Sequence, residues 1–196
     1  MLSHAGPLPS GSGWSYELKW DGFRAIVSTE DGLRVRSRHG WNITAVLPEL
    51  RALPRGLVLD GELVAWKDGE PHFPLVSRHV LNYDLSVPVT FVAFDLLRID
   101  GTDVTYRRFD ERRDLLVSLG LDAPGWATSE TFQDGQALYD AVWQQGLEGV
   151  VAKKHAQAYK SGQRAWVKIK NPNYWRRELE IEGVWRSAER RPRARR

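Results

Sequence analysis

The 196-residue chain contains no cysteine. Without thiols it can carry neither a disulfide framework nor a thiolate-held zinc or iron–sulfur centre. Long apolar runs are missing as well: no window approaches the roughly 20 apolar residues that cross a bilayer as a helix. The opening Met1-Leu2-Ser3-His4-Ala5-Gly6-Pro7 lacks the charged-then-apolar order of an export signal, so the cytoplasm is the expected compartment. Several nucleotide and hydrolase signatures are absent too. There is no G-x-x-x-x-G-K-[ST] loop, no G-x-G-x-x-G after a strand and no G-x-S-x-G elbow. The five histidines (His4, His39, His72, His79 and His155) show no metal-ligand spacing.

What is present describes a globular protein. Apolar residues make up 42% of the chain and charged residues 27%, enough for one sizeable core with small appendages. The net charge of +3 is unevenly placed: residues 186–196 hold six arginines and one glutamate, leaving the rest of the chain at net −2. That basic end reads as a solvated segment able to touch phosphates.

The first thirteen residues are rich in Gly, Pro and Ser and read as loop. Strands are expected at Trp14–Trp20, Phe23–Ser28 and Leu33–Ser37, with Asp21-Gly22 and Asp31-Gly32 as hairpin signals. Thr44 is placed to cap a short helix running to Leu53, with Val46, Leu47 and Leu50 on one face. Leu57–Trp66 reads as a strand broken at Asp60-Gly61, and Val87–Ile99 as a strand buried on both faces around Phe91-Val92-Ala93-Phe94. Phe109–Leu119 and Gln136–Gln145 fit amphipathic helices, the second stopped by Gly146. Leu147–Lys153, Ala165–Ile169 and Leu179–Arg186 are the closing strands. The irregular mixture predicts an α+β domain with mostly antiparallel sheets.

The candidate chemistry lies at strand ends. Glu17, Lys19 and Asp21 alternate, as do Asp60 and Glu62, and Lys168 and Lys170; Glu148 opens another short strand. Taken singly, each is what a solvated strand face presents. Brought together, they would form a lysine-and-carboxylate cleft suited to phosphate and a divalent ion. A free lysine is almost wholly ammonium at neutral pH, and neighbouring cations would expose its amine by lowering its pKa. Phe94 could offer an aromatic face to a base.

These segments resemble, in order, the motifs of the covalent nucleotidyltransferases: ATP-dependent DNA ligases, RNA ligases and mRNA capping enzymes. The matching runs are Glu17-Leu18-Lys19-Trp20-Asp21-Gly22-Phe23-Arg24, Ser37-Arg38-His39-Gly40, Asp60-Gly61-Glu62 and Phe91-Val92-Ala93-Phe94-Asp95-Leu96-Leu97. Glu148-Gly149-Val150-Val151-Ala152-Lys153 and Trp166-Val167-Lys168-Ile169-Lys170 complete the set. The wording is most similar to bacterial ATP-dependent DNA ligases of the end-joining and repair type. The resemblance implies an ATP-grasp-like α+β domain, with two mostly antiparallel sheets and flanking helices around a nucleotide cleft. It makes Lys19 the nucleophile that attacks the ATP α-phosphate and holds AMP. Glu17 would contact adenine and Phe94 stack on it. Arg24 and Arg38 would bind ribose or phosphate, and Lys168 and Lys170 the α-phosphate. Glu62 would serve ribose or metal, and Glu148 the metal, Mg²⁺ or Mn²⁺. AMP would pass to a 5′-phosphate at a DNA nick, and the 3′-hydroxyl would seal the strand.

Residues 1–178 are thus read as the adenylation domain. Residues 179–196 are read as the start of an otherwise missing oligonucleotide-binding barrel plus the arginine-rich tail. Self-adenylation without that barrel is expected to be impaired. The resemblance implies nicked DNA as substrate, Ku-type end-binding proteins or repair polymerases as partner classes, and a monomer. An RNA ligase and a non-catalytic nucleic-acid-binding remnant are the alternative readings.

Overall fold

The computed structural model describes residues 1–174; the expected strand Leu179–Arg186 and the arginine-rich end lie outside the described residues. The chain begins with β1 (Leu2–Ala5), β2 (Trp14–Leu18), β3 (Phe23–Ser28) and β4 (Arg34–Ser37). After two 3₁₀ turns come β5 (Leu57–Val64), the short hairpin β6 (Trp66–Lys67) and β7 (Glu70–Pro71), and helix α1 (Phe73–Asn82). There follow β8 (Thr90–Ile99), β9 (Thr102–Asp103), α2 (Phe109–Ser118), β10 (Asp122–Ala123) and β11 (Trp126–Thr128). Helix α3 (Gly135–Gln144) leads to β12 (Gly149–Lys154) and β13 (Arg164–Lys170).

Two sheets carry the domain. The smaller has the order β1-β13-β12-β2, the larger β10-β11-β8-β5-β3-β4 with β9 beside β8. Pairing is mostly antiparallel, with β1–β13 and β11–β8 parallel. This is the expected α+β arrangement. The inner residues of the large sheet, among them Ala25, Val27, Val35, Leu59 and Leu63, join α1, the 3₁₀ turns and part of α2 in the main core. Tyr16, Val150, Ala152 and Val167 of the small sheet pack against Leu138 and Val142 of α3 in a second cluster. Each sheet therefore buries one face, and the faces left over flank a cleft. Among the described residues no helix is long and apolar enough to cross a membrane.

Several local expectations are corrected. Leu2–Ala5 is a strand rather than loop, because it pairs with distant Arg164–Lys168. Asp21-Gly22 does not close a hairpin: β2 and β3 belong to different sheets, and the dipeptide carries the chain between them. Gly22 suits that crossing, since a Cβ there would stand 2.2 Å from the Leu63 carbonyl oxygen. The helix expected from Thr44 is two 3₁₀ turns, Thr44–Val46 and Pro48–Ala52, because Pro48 lacks the N–H that would continue the first. Strand β5 is unbroken at Asp60-Gly61, and Trp66 leaves it for the separate hairpin with β7. Helix α1, which the sequence reading leaves unassigned, has Pro74 in its first turn and ends at Tyr83, whose φ is 58°.

Candidate functional site

The cleft between the sheets has a volume of about 180 Å³, and its walls follow from strand register. On the small sheet Val151 stands opposite both Glu17 and Lys168, so these three share a face. On the large sheet Arg24 stands opposite Glu62. Where β5 meets β8 the register slips: Asp60 pairs with Asp95 and Gly61 with Ala93, leaving Phe94 unopposed. This bulge frees Phe94 to turn into the cleft, a common device beside binding sites. Glu17, Lys19, Arg24, Arg38, Glu62, Phe94 and Lys168 all line it, and Lys170 reaches it through Glu148. Seven of the residues to which the resemblance gives a role thus line one cleft, and Glu148 and Lys170 stand beside it through the Lys19–Glu148 pair.

At the mouth, the Lys19 ammonium donates to Glu148 Oε1 at 2.5 Å, and Lys170 Nζ stands 3.8 Å from the same oxygen. Burial by itself would lower the Lys19 pKa. The carboxylates of Glu148, Glu62 and Asp21 outweigh it and hold the amine above its ordinary value. This reverses the expected depression by neighbouring cations, because the groups closest to Lys19 are acidic.

The floor is aromatic. Phe94 and Trp166 meet edge to face at 5.6 Å, and Tyr159 adds a second edge to Trp166. The Arg24 guanidinium lies 5.6 Å from the Phe94 ring and 5.4 Å from that of Trp166. Asp60 clamps it bidentately at 2.9 and 2.5 Å and also accepts the Tyr159 hydroxyl proton at 2.8 Å. Behind the rings Lys153 Nζ pairs with Glu17 at 2.7 Å, donates to the Phe94 carbonyl oxygen at 3.0 Å and sits 4.6 Å from each ring. Burial pushes Glu17 up and Lys153 down, each opposed by their mutual attraction. Deeper still, Arg112 holds Asp95 bidentately at 2.7 and 2.8 Å.

The resemblance assigns no specific role to Asp60, Lys153, Tyr159 or Trp166. Three of them stand inside the quoted motifs, where their position was the available signal; Tyr159 stands outside every motif and gives none.

The acidic groups fit a divalent cation that a substrate completes. Glu148 Oε2 is buried without a hydrogen-bond partner. Among the described residues no cluster of three or more acidic or histidine side chains would hold a metal by itself. Two carboxylates with phosphate oxygens filling the remaining positions are a usual Mg²⁺ arrangement.

Burial raises the Glu62 carboxyl to about 8. An unfolded glutamate titrates near 4.3. Between those values the folded chain binds more protons than the unfolded one, so stability falls as pH rises through that window. Burial holds the Met1 amino group down to about 5, which acts in the opposite sense over the same range. The Glu62 contribution is therefore read as the difference between wild type and Glu62→Gln in unfolding free energy, measured from pH 5 to 8 in metal-free, nucleotide-free buffer. The stability of wild type relative to the variant should fall as pH rises, and parallel profiles would remove Glu62 as its source.

Comparison with known proteins follows the same lines. A family model described as the ATP dependent DNA ligase domain matches residues 8–170. The multifunctional non-homologous end joining protein LigD of Mycobacterium bovis is 37% identical over 188 residues, covering 91% of this chain and 24% of that protein. The SPbeta prophage-derived DNA ligase-like protein LigB of Bacillus subtilis is 34% identical over 182 residues, 89% of this chain and 67% of that one. The ligase domain of M. tuberculosis LigD superimposes with a TM-score of 0.76 at 36% identity, over 86% of this chain and 58% of that one. Mycobacterial DNA ligase D complexed with ATP and MES gives 0.74 at 35% identity, with the same coverage of each chain. The chain spans about a quarter of the length of its LigD relatives.

Proposed function

The chain belongs to the ATP-dependent DNA ligase family, and from that premise we propose that it is the adenylating catalytic domain of a bacterial DNA-repair ligase acting on nicked DNA in the cytoplasm. The observation that carries the reading is the convergence of Lys19, Glu148, Glu62, Lys168 and the Phe94–Trp166 platform on one cleft. Adenine stacks on Phe94, and Glu17 accepts from its exocyclic amine. Arg24 and Arg38 hold ribose and phosphate, and Lys168 and Lys170 offset charge on the α-phosphate.

Lys19 Nζ attacks the α-phosphorus as its proton passes to Glu148 Oε1, 2.5 Å away. The bond from phosphorus to the bridging oxygen breaks and pyrophosphate departs. A Mg²⁺ or Mn²⁺ held by Glu148 and Glu62 would supply further charge neutralisation and, by drawing on the carboxylates that now stabilise the ammonium, would favour the free amine. In the second step an oxygen of the DNA 5′-phosphate attacks the AMP phosphorus and Lys19 leaves. In the third the 3′-hydroxyl attacks that 5′-phosphate and AMP leaves. The end-joining names of the LigD relatives support double-strand-break repair, with Ku-type end-binding proteins or repair polymerases as partner classes.

The reading is tested by intact-protein mass after incubation with ATP and Mg²⁺. An AMP-sized adduct on Lys19, reversed by pyrophosphate, is the expected result; a GMP adduct from GTP would redirect the assignment to capping chemistry. Glu148→Gln keeps the shape of the side chain but removes the proton acceptor and one metal oxygen. Its adenylation rate should fall by about 10²-fold or more. Single-turnover adduct formation measures it, and a rate within threefold of wild type would remove Glu148 from the chemistry.

A further inference from the structure

We propose that β4 is a phosphate track: Arg34 and Arg36 extend the cleft residue Arg38 into a ladder that grips the sugar–phosphate backbone of duplex DNA beside the nick. The inference rests on the ligase reading above and names the surface by which the domain holds its substrate.

Along β4 exposure alternates, with Arg34 and Arg36 in solvent and Val35 and Ser37 buried. Register decides which way the arginines face. Arg36 stands opposite Ile26, and Arg34 opposite Ser28. One strand further in, Ile26 stands opposite Asp60 and Arg24 opposite Glu62. Directly opposed residues share a face, and residues two apart on one strand do so as well. The arginines therefore stand on the same side of the sheet as Arg24, Asp60 and Glu62. Val35, by contrast, opposes Val27 in the core.

Arg38, at the inner end, lines the nucleotide cleft and also a smaller neighbouring pocket with His39 and Trp41. From there the ladder runs outward along the last strand of the sheet. Its two-residue step of about 6.8 Å is comparable to the step between successive phosphates of a nucleic-acid strand. The intramolecular partners are slight. Arg34 stands 4.0 Å from Asp31, both largely exposed, and Arg36 donates to the Gly40 carbonyl oxygen at 3.2 Å. Each guanidinium has five N–H donors, so most remain for a ligand, and its planar fork matches phosphate. The surrounding chain sharpens the contrast, since residues 1–185 carry a net charge of −2. Charges on an edge strand also discourage strand addition, but any charge on either face would serve that purpose.

The test uses the full chain, a nicked duplex with a 5′-phosphate, and a salt series, with adduct formation from ATP alone followed in parallel. R34A/R36A is expected to form the Lys19 adduct at the wild-type rate. Its affinity for the nick should fall about tenfold at low salt, and the slope of log affinity against log salt should shrink by about 1.8, two phosphate contacts' worth. R34K/R36K should keep most of the slope. R78A/R108A removes the same charge from exposed positions elsewhere and should keep both affinity and slope. Unchanged affinity and slope in R34A/R36A, or an equal loss in R78A/R108A, would overturn the ladder. A wild type that forms no adduct even when a separate oligonucleotide-binding barrel domain is added would instead sink the ligase reading, while a salt-dependent loss confined to R34A/R36A would still establish the backbone track.

Discussion

Lys19→Ala is expected to reduce AMP-adduct formation by at least about 10⁴-fold, the scale on which losing a covalent nucleophile acts. Three other lysines approach the cleft, and each is disposed for another task. Lys153 is buried, with Glu17 at 2.7 Å and the Phe94 carbonyl oxygen at 3.0 Å, below the aromatic rings. Lys168 lines the same wall two strands away on β13, and Lys170 shares Glu148 from 3.8 Å. Lys19 alone of the four joins a 2.5 Å contact with a carboxylate to a place at the cleft mouth beside Glu62 and Arg38. Lys19→Arg is the sharper control, because it preserves the charge opposite Glu148 yet offers no attacking amine. It should retain the wild-type melting temperature and remain as inactive as the alanine variant. Intact-mass measurement with ATP and Mg²⁺ decides the matter. A wild-type yield of adduct in either variant would move the nucleophile to a different lysine.

The largest stability loss should follow truncation of the ion pair beneath the base platform. Arg112 and Asp95 are fully buried, joined by two hydrogen bonds at 2.7 and 2.8 Å. Arg112 also donates to the carbonyl oxygens of Arg107 and Gln157. Arg112→Ala or Asp95→Ala leaves one charge buried without its counter-ion, which costs about 3–5 kcal/mol. Against a total stability of about 5–15 kcal/mol, that lowers the melting temperature by roughly 6–20 °C for a chain of this size. The double variant R112M/D95L should lose much less, because neither charge is then stranded. Asp95 follows Phe94 in the chain, so the single variants should also raise the KM for ATP. Thermal or urea unfolding of all three proteins measures the effect; an Arg112→Ala protein within 1 kcal/mol of wild type would show that water reaches the pair.

Much of the local structure was legible in the residues. Phe23–Ser28 alternates and is a strand with those bounds. The turn at Asp31-Gly32 is a true hairpin, with Gly32 at φ 87°. Helices α2 and α3 lie within a residue or two of their expected limits, and Gly146 at φ 67° follows α3. The motif order identified the cleft residues, because phosphate and metal chemistry demands lysines and carboxylates at strand ends.

What escaped depends on partners far away in the chain. Leu2-Ser3-His4-Ala5 carries no clear strand pattern and becomes a strand only against residues about 160 positions later. Asp21-Gly22 looks locally like a hairpin, yet whether a turn returns to its own sheet is decided by which neighbour buries the next strand. The direction of the Lys19 pKa shift was missed for the same reason: counting nearby cations in sequence says nothing about the carboxylate 2.5 Å away in space.

The sequence by itself determined the periodicities, the breaks and the inventory of reactive groups, since period two, proline and glycine act over a few residues. Only the tertiary structure decided which groups face one another. The slipped register that turns Phe94 into the cleft, the burial that sets Lys153 against Glu17 and the pairings that put Arg34 and Arg36 on the cleft side of β4 all join residues that no single segment holds together. Register and burial are properties of pairs, and no single segment contains them.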